Sequence, residues 1–337
     1  MALNSSTGTL GDAAPALGAF PANHSYFVKE FIEIAAPEAL YDMFGNSRAI
    51  PKNNSNSISY NKVAKLATLE GTALTEGVTP TEQQLTLTRI SKTVDQYGGF
   101  ITVTDRLQDE SVAGLMSELN TRNAEQAAET MNLVKRDDLL GGTNVRYANA
   151  AANQNAITAS GVFAADFDFM YQAFLNEKVK AIRPMTNGSP NINTTPTRET
   201  YPSIVKPSAT TLLEALDDSN GNTYINTERY ASQRPTWMNE HGTFKQFSFI
   251  TDTESAIVSN AAATPQDINQ SLVLGKGAYD VITIADGNVQ IIMKPLGSAG
   301  TADPLDQRAT LGWKSKCAII IKQQTYMFRY EFSVGAT

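Results

Sequence analysis

The stretch from Thr104 to Gly142 constrains the fold more than any other part of the chain. Val112, Leu115, Met116, Leu119, Asn123, Ala127, Met131 and Val134 recur there at steps of three or four residues, the period of one helix face. Asp105 and Gln108 have the spacing of a capping box, and Asp109 and Glu110 add negative charge near the positive end of a helix dipole. No proline interrupts the run, and Gly141-Gly142 predicts a stop in left-handed backbone. A helix of about 30 residues is roughly 45 Å long, well beyond the usual three to four turns. Such an element suits a mechanical spine; the plainer alternative is a long core helix of an ordinary α/β domain.

The rest of the composition narrows the class. The 337 residues suffice for one large domain or two lobes. A net charge of −7 argues against an electrostatic nucleic-acid binder. Cys317 is the only cysteine, so no intrachain disulfide forms, and its apolar neighbours Ala318 to Ile321 mark it as a small core residue. No apolar run approaches the roughly 20 residues of a membrane span, and Met1 to Phe20 lacks the pattern of a signal peptide, so a soluble protein is expected.

In chain order, residues 1–25 read as a flexible arm, Tyr26 to Phe44 as an apolar piece in need of a partner, and Gly45 to Ser57 as polar loop. Ile58 to Thr68 and Leu85 to Gln96 predict two strands, each about 35 Å long, around a glycine- and proline-punctuated tip. Charges segregate along this hairpin. Lys62, Lys65, Arg89 and Lys92 lie on the stem, whereas Glu70, Glu76 and Glu82 lie at or near the tip. An isolated hairpin is marginal in water, so this one must lie on something. It is either a solvated hairpin with balanced charge or an arm that reaches a neighbouring subunit, the seven charged residues being the candidate intersubunit contacts.

Tyr97 to Val103 predicts a short strand leading into the spine. Phe163 to Ala181 predicts an amphipathic helix, with Asp166 as a possible cap and Pro184 beyond its end. Arg183 to Thr200 reads as a long surface loop. Strands are expected at 201–207, 244–251, 279–285, 289–294, 313–322 and 326–334, and a short helix at 210–217.

Chemistry-bearing patterns are scarce. His24 and His241 are the only histidines, which argues against a zinc site rich in histidine or thiolate. The run Gly275 to Asp280 lacks the third glycine of a dinucleotide fingerprint, and Leu296 to Gly300 misses nucleophile-elbow spacing by one residue. Asp217-Asp218 reads as loop solvation. No catalytic, cofactor-binding or metal residues are assigned.

Three stretches, in order, resemble the N4-like major capsid proteins of tailed phages, which have the HK97-like capsid fold. The first is Leu74 to Pro80 with Gln96 to Gly99 and Thr104-Asp105. The second is Ala127 to Thr130 with Leu140 to Val145 and Tyr147, and the third is Lys294 to Arg308 with Gly312 to Lys314. The resemblance implies an α+β chain with an N-terminal arm at 1–57, an extended β-hairpin loop at 58–96 and a peripheral domain at 97–162 with its spine helix at 105–141. An axial domain at 163–290 follows, and C-terminal strands at 291–337 return to the peripheral domain. It further implies self-assembly into hexamers and pentamers of an icosahedral shell, with portal, scaffolding or decoration proteins as partners and packaged double-stranded DNA held non-specifically. The expected location is the virion, after assembly in the host cytoplasm. Some members crosslink subunits through lysine and asparagine; Lys62, Lys65 and Lys92 lie in the corresponding loop, with no partner evident. Alternatives are another self-assembling subunit, of a tail tube or surface layer, and a soluble α/β enzyme.

Overall fold

In the computed structural model the stretch after Thr104 is helical over Asp105–Glu110 (α1) and Leu115–Leu140 (α2). The structure describes residues 40–335 apart from 65, 67, 69–72, 80–81, 111–114, 159, 184–198, 219, 231–236, 263–264, 285–288 and 299–302. The expected flexible arm at 1–25 and the loop over 184–198 lie outside the described residues, as do Lys65, Glu70 and His24. So do residues 111–114 of the expected 105–141 helix.

Both ends of this spine differ from the expected caps. Thr104 is the N-terminal cap, its hydroxyl oxygen accepting from the Leu107 amide at 3.3 Å, while Asp105 accepts from Arg106 N at 2.7 Å. At the other end neither Gly141 nor Gly142 has a positive φ. The Arg329 guanidinium instead donates to the Leu140 carbonyl and, at 3.4 Å, to that of Gly142, putting positive charge at the negative end of the dipole. Gly142 is favoured by crowding, because a Cβ there would stand 3.2 Å from both Leu139 O and Met327 Cε.

The strands are β1 (Asn46–Ile50), β2 (Ser57–Val63), β3 (Leu87–Thr93), β4 (Asp95–Thr104), β5 (Val145–Tyr147), β6 (Tyr201–Val205), β7 (Ile225–Asn226), β8 (Glu240–Phe244), β9 (Phe247–Thr251), β10 (Ile257–Ser259), β11 (Asp267–Leu274), β12 (Tyr279–Ile284), β13 (Gln290–Lys294), β14 (Arg308–Ile321) and β15 (Met327–Ser333). They form two large sheets and one separate pair, β2–β3.

The first sheet is built around the 14-residue β14. β4 pairs antiparallel along one edge of it, from Arg308↔Thr104 to Cys317↔Asp95. β13 and β12 succeed one another along the other edge, and β1 adds to β12 in parallel. The spine lies on one face of this sheet, where Ala124, Ala127 and Met131 pack against Trp313 and Cys317. Gln126 accepts from the Trp313 indole N–H at 3.2 Å. Gly99 permits that approach, since a Cβ would come within 2.8 Å of the Gln126 oxygen.

The second sheet has eight strands, ordered β5-β15-β11-β6-β9-β8-β7, with β10 also on β11. Its side chains alternate between two cores, as period-two geometry requires. Tyr201, Val205, Phe247, Phe249, Phe328, Tyr330 and Phe332 face α3 (Ala164–Asn176), where Phe167, Met170 and Phe174 are buried. Ile204, Ile250, Leu272 and Leu274 face the other way, onto Tyr279, Val281 and Ile319 of the first sheet and Leu139 of the spine. This second core joins the two sheets.

Several sequence expectations need correction. Tyr41 and Phe44 belong to the joining core, and β1 is a strand where loop was expected, so residues 40–50 are part of the body, while 51–56 form the exposed turn before β2. The C-terminal segment divides: β14 is central to the first sheet, and β15 completes the second beside β11. No sheet boundary falls at 290/291, because β12 and β13 both pair with β14. The helix expected over 163–181 ends at Asn176, five residues early, and the short helix expected over 210–217 is α4, Thr210–Glu214. Asp166 is no cap. It is buried and accepts from Arg146 Nε at 2.8 Å, Asn149 N at 2.7 Å and the Tyr330 hydroxyl at 3.1 Å, tying α3 to β5 and β15.

Candidate functional site

Among the described residues the hairpin β2–β3 is the one sheet that belongs to neither large sheet, and its base and distal half have different surroundings. Its strands pair from Ser57↔Thr93 to Val63↔Leu87. Ala64 N adds one further bond to Thr86 O at 2.9 Å. Seven paired residues per strand span about 23 Å, shorter than the 35 Å expected.

The base is anchored within its own chain. Ile58, Tyr60 and Ile90 pack against Ile50, Val94, Ile282, Ala318 and Ile320 on the sheet face opposite the spine. Beneath them lies Asp280, whose side chain is fully buried. It accepts from the Tyr60 hydroxyl at 2.8 Å and Asn46 Nδ2 at 3.2 Å, and pairs with Lys322 Nζ at 2.7 Å. Burial alone would raise the Asp280 pKa, but the Lys322 ammonium and the Tyr60 and Asn46 hydrogen bonds outweigh it and hold the carboxyl below its usual range. Tyr60 is pushed up to about 12, first by burial and then by its bond to that carboxylate.

The candidate charges then separate. Lys92 pairs with Asp138 of the spine at 2.6 Å, and the other Asp138 oxygen accepts from Ile319 N at 2.9 Å. Lys92 is therefore engaged within its own chain. Arg89 donates to Ser59 Oγ across the hairpin at 3.1 Å. Lys62, Glu76 and Glu82 are exposed. Toward the tip the apolar residues are uncovered too: Val63, Leu66, Leu74, Val78, Leu85 and Leu87 all stand in solvent, Leu74 with 77% of its surface accessible.

Sequence reasoning missed the Asp280 anchor altogether. A lone aspartate between Tyr279 and Val281 carries no signal until the fold brings Asn46, Tyr60 and Lys322 to it. Elsewhere, His241 of β8 shares a hydrogen bond at 2.5 Å with Tyr224, which precedes β7, beside Glu214; it is a structural contact between the two strands. Among the described residues no group of three or more histidine, cysteine or acidic side chains is placed to hold a metal, and no helix is long and apolar enough to cross a membrane.

No protein-family model and no curated protein matches the chain. Solved structures do. The capsid of Ralstonia phage GP4 superposes with a TM-score of 0.62 at 12% identity, covering 88% of this chain and 90% of that one. The mature capsid of bacteriophage PhiM1 gives 0.56 at 10% identity over 87% and 86% of the two chains. The head of Helicobacter pylori bacteriophage KHP40 gives 0.55 at 12% over 87% and 88%. At such identities the likeness is one of fold, and it covers nearly all of each chain: this protein has the α+β, HK97-like capsid fold.

Proposed function

We propose that the chain is the major capsid protein of a tailed double-stranded DNA phage, of the N4-like kind, and that it acts as a structural subunit without catalysis. The observation that carries this reading is the hairpin. Its base is locked to the body through Asp280 and the Ile58–Ile90 cluster, while its distal half exposes six large apolar side chains. A lone folded chain gains nothing from that arrangement; a subunit with neighbours covers those side chains at each contact. In this reading 58–96 is the extended loop, the spine with the first sheet is the peripheral domain, and the second sheet with α3 is the axial domain. Lys62, Lys65, Glu70, Glu76, Glu82 and Arg89 are the intersubunit candidates, and Lys92 acts within its own subunit. A repeated heterologous contact closes rings of six and five, and the rings tile a closed shell. The shell encloses the genome in the virion, after assembly in the host cytoplasm. Portal, scaffolding or decoration proteins and non-specifically held DNA complete the set of partners. Electron microscopy of the purified chain under assembly conditions tests this: closed polyhedral shells are expected, whereas tubes, flat lattices or persistent monomers overturn it.

A further inference from the structure

A cleft of about 450 Å³ opens beside the second sheet, lined by α3 and the stretch after it, the start of β6, the β8–β9 turn and the β11–β12 turn. Its volume lies in the range of small-molecule sites. Backbone bonds hold the walls together. Lys276 N donates to Lys180 O at 2.9 Å, Ile182 and Thr200 exchange bonds of 3.0 and 3.1 Å, and Tyr201 N donates to Gln246 O at 2.8 Å. The Tyr201 hydroxyl, donating to Val179 O at 2.9 Å, fixes the stretch after α3 against β6. The charged lining is mostly cationic. Lys180, Arg183 and Lys276 face one carboxylate, Glu199, and Arg183 already holds it at 2.6 Å. Lys180 and Lys276 have no ion pair among the described residues. Lys245, next to Gln246, shows the contrast, since Asp168 at 2.6 Å and Asp218 at 2.7 Å both answer it. The sequence between Arg183 and Glu199 contains no acidic residue and adds a further cation, Arg198. All this occurs in a chain whose net charge is −7.

Two ammonium groups brought to one cleft by a backbone bond between their own residues draw an anion into it. Lysine binds phosphate as a point charge, and the Gln246 amide and the Tyr171 hydroxyl are further donors on the same lining. Tyr171 is half-buried on the wall, edge-on to Tyr201 with ring centroids 6.3 Å apart, and offers an aromatic surface to a planar group. We propose that this cleft binds a small phosphate-bearing anion of about nucleoside-triphosphate size, with Lys180 and Lys276 on the phosphates and Tyr171 beside the remainder. A small ligand suits it better than a nucleic-acid duplex, because the positive charge is gathered in a concavity while the chain as a whole is acidic. Once bound, the anion ties four separate segments together and so stabilises the second sheet. The site lies within one chain and stands apart from the capsid-subunit reading.

Calorimetric titrations and thermal melts of the full chain with inorganic triphosphate and with ATP, at physiological salt and without added metal, test the site. Saturable binding of one ligand per chain is expected, with a melting temperature that climbs with ligand concentration. Lys180→Ala with Lys276→Ala should weaken binding roughly tenfold or more. The melt without ligand should not move, because both side chains are exposed and unpaired among the described residues. Lys180→Arg with Lys276→Arg, which keeps the charge, should retain most of the affinity. Tighter binding of ATP than of triphosphate assigns the ligand to the nucleotides, and equal binding assigns it to inorganic polyphosphates; either supports the site. The proposal is overturned if neither anion binds saturably, or if the double alanine variant binds as well as the parent. It is equally overturned if a short DNA duplex binds through these lysines while both small anions fail. Shell formation is read separately by microscopy, so failure of this site leaves the capsid reading untouched, and absence of shells leaves the site untouched.

Discussion

At its base the hairpin hides Ile58, Tyr60 and Ile90 against the body, whereas toward its tip Leu74, Val78 and Leu85 face water. Apolar side chains are used at both ends. The difference is what lies within reach: Ile282, Ala318 and Ile320 for the base, and among the described residues no such cluster for the tip. Charge follows the same division, with Lys92 answered by Asp138 and Glu76 and Glu82 exposed. The base thus contributes to the stability of the single chain; in the capsid reading we propose, the tip contributes once a second copy covers it.

That division can be broken from either side. The largest effect is expected from stopping the chain after Ala309, which removes most of β14 and all of β15, takes Trp313 and Cys317 away from the spine, leaves β4 with no paired strand among the described residues, and strips one neighbouring strand from each of β12 and β11. Trp313→Ala alone costs about 3–5 kcal/mol if it behaves as a buried aromatic usually does. The truncated protein should be insoluble or lack a cooperative melt; a sharp melt near that of the full chain would place the core elsewhere. Replacing residues 68–84 with a short Gly/Ser turn should do the reverse. The melting temperature holds and shells are lost, as followed by calorimetry and electron microscopy. Shells of normal form would show that the tip is not needed.

Smaller changes sharpen the boundary between the halves. Tyr60→Phe removes one hydrogen bond to a buried carboxylate, worth about 1.5–3 kcal/mol, and should loosen the base while leaving the spine intact; amide exchange in β2 and β3 reads this. The same bond sets a pH window. Tyr60 is raised above the ordinary tyrosine value of about 10, so its contribution is complete below about pH 10 and is lost as pH rises toward its folded value of about 12. Asp280 is depressed, so its contribution is present above the ordinary carboxyl value of about 3.9 and fades as pH falls below that. The parent should therefore lose hairpin protection at both extremes, and Tyr60→Phe only in acid. The smallest effect belongs to Lys92→Ala, about 0–1 kcal/mol for a partly exposed pair, seen as a slight loss of protection at the hairpin base.

Periodic segments are the legible ones. The spine from Leu115 onward, α3, β4, β14 and β15 carry helical or alternating patterns, and the structure holds all of them. β1 is not legible: Asn46-Ser47-Arg48-Ala49 is exposed and mostly polar, and only parallel pairing to β12 makes it a strand. β11 is hidden because its first half, Asp267-Ile268-Asn269-Gln270, is largely polar, although Asn269 is fully buried. The caps mislead for a related reason. Gly141-Gly142 marks the place where the helix ends, but not in left-handed backbone, and the last carbonyl is satisfied by Arg329, distant in sequence. At the candidate site the charges of the hairpin can be read one by one, but not which of them already have partners. Asp138 and Asp280 reach it only through tertiary contacts.

The order of the strands along β14 also has a consequence in time. Every strand that pairs with β14 or β15, namely β4, β12, β13, β5 and β11, precedes it in the sequence. A ribosome adding about 5–20 residues per second therefore exposes the hairpin tip well before either sheet has its central or closing strand. During that interval β4 has no β14 beside it, and the sheet face that carries Phe100 is not yet assembled. Two nascent chains on one message cannot engage each other through it, however crowded they are. Late delivery of one strand thus has each copy complete its own sheets before the capsid contacts we propose can form.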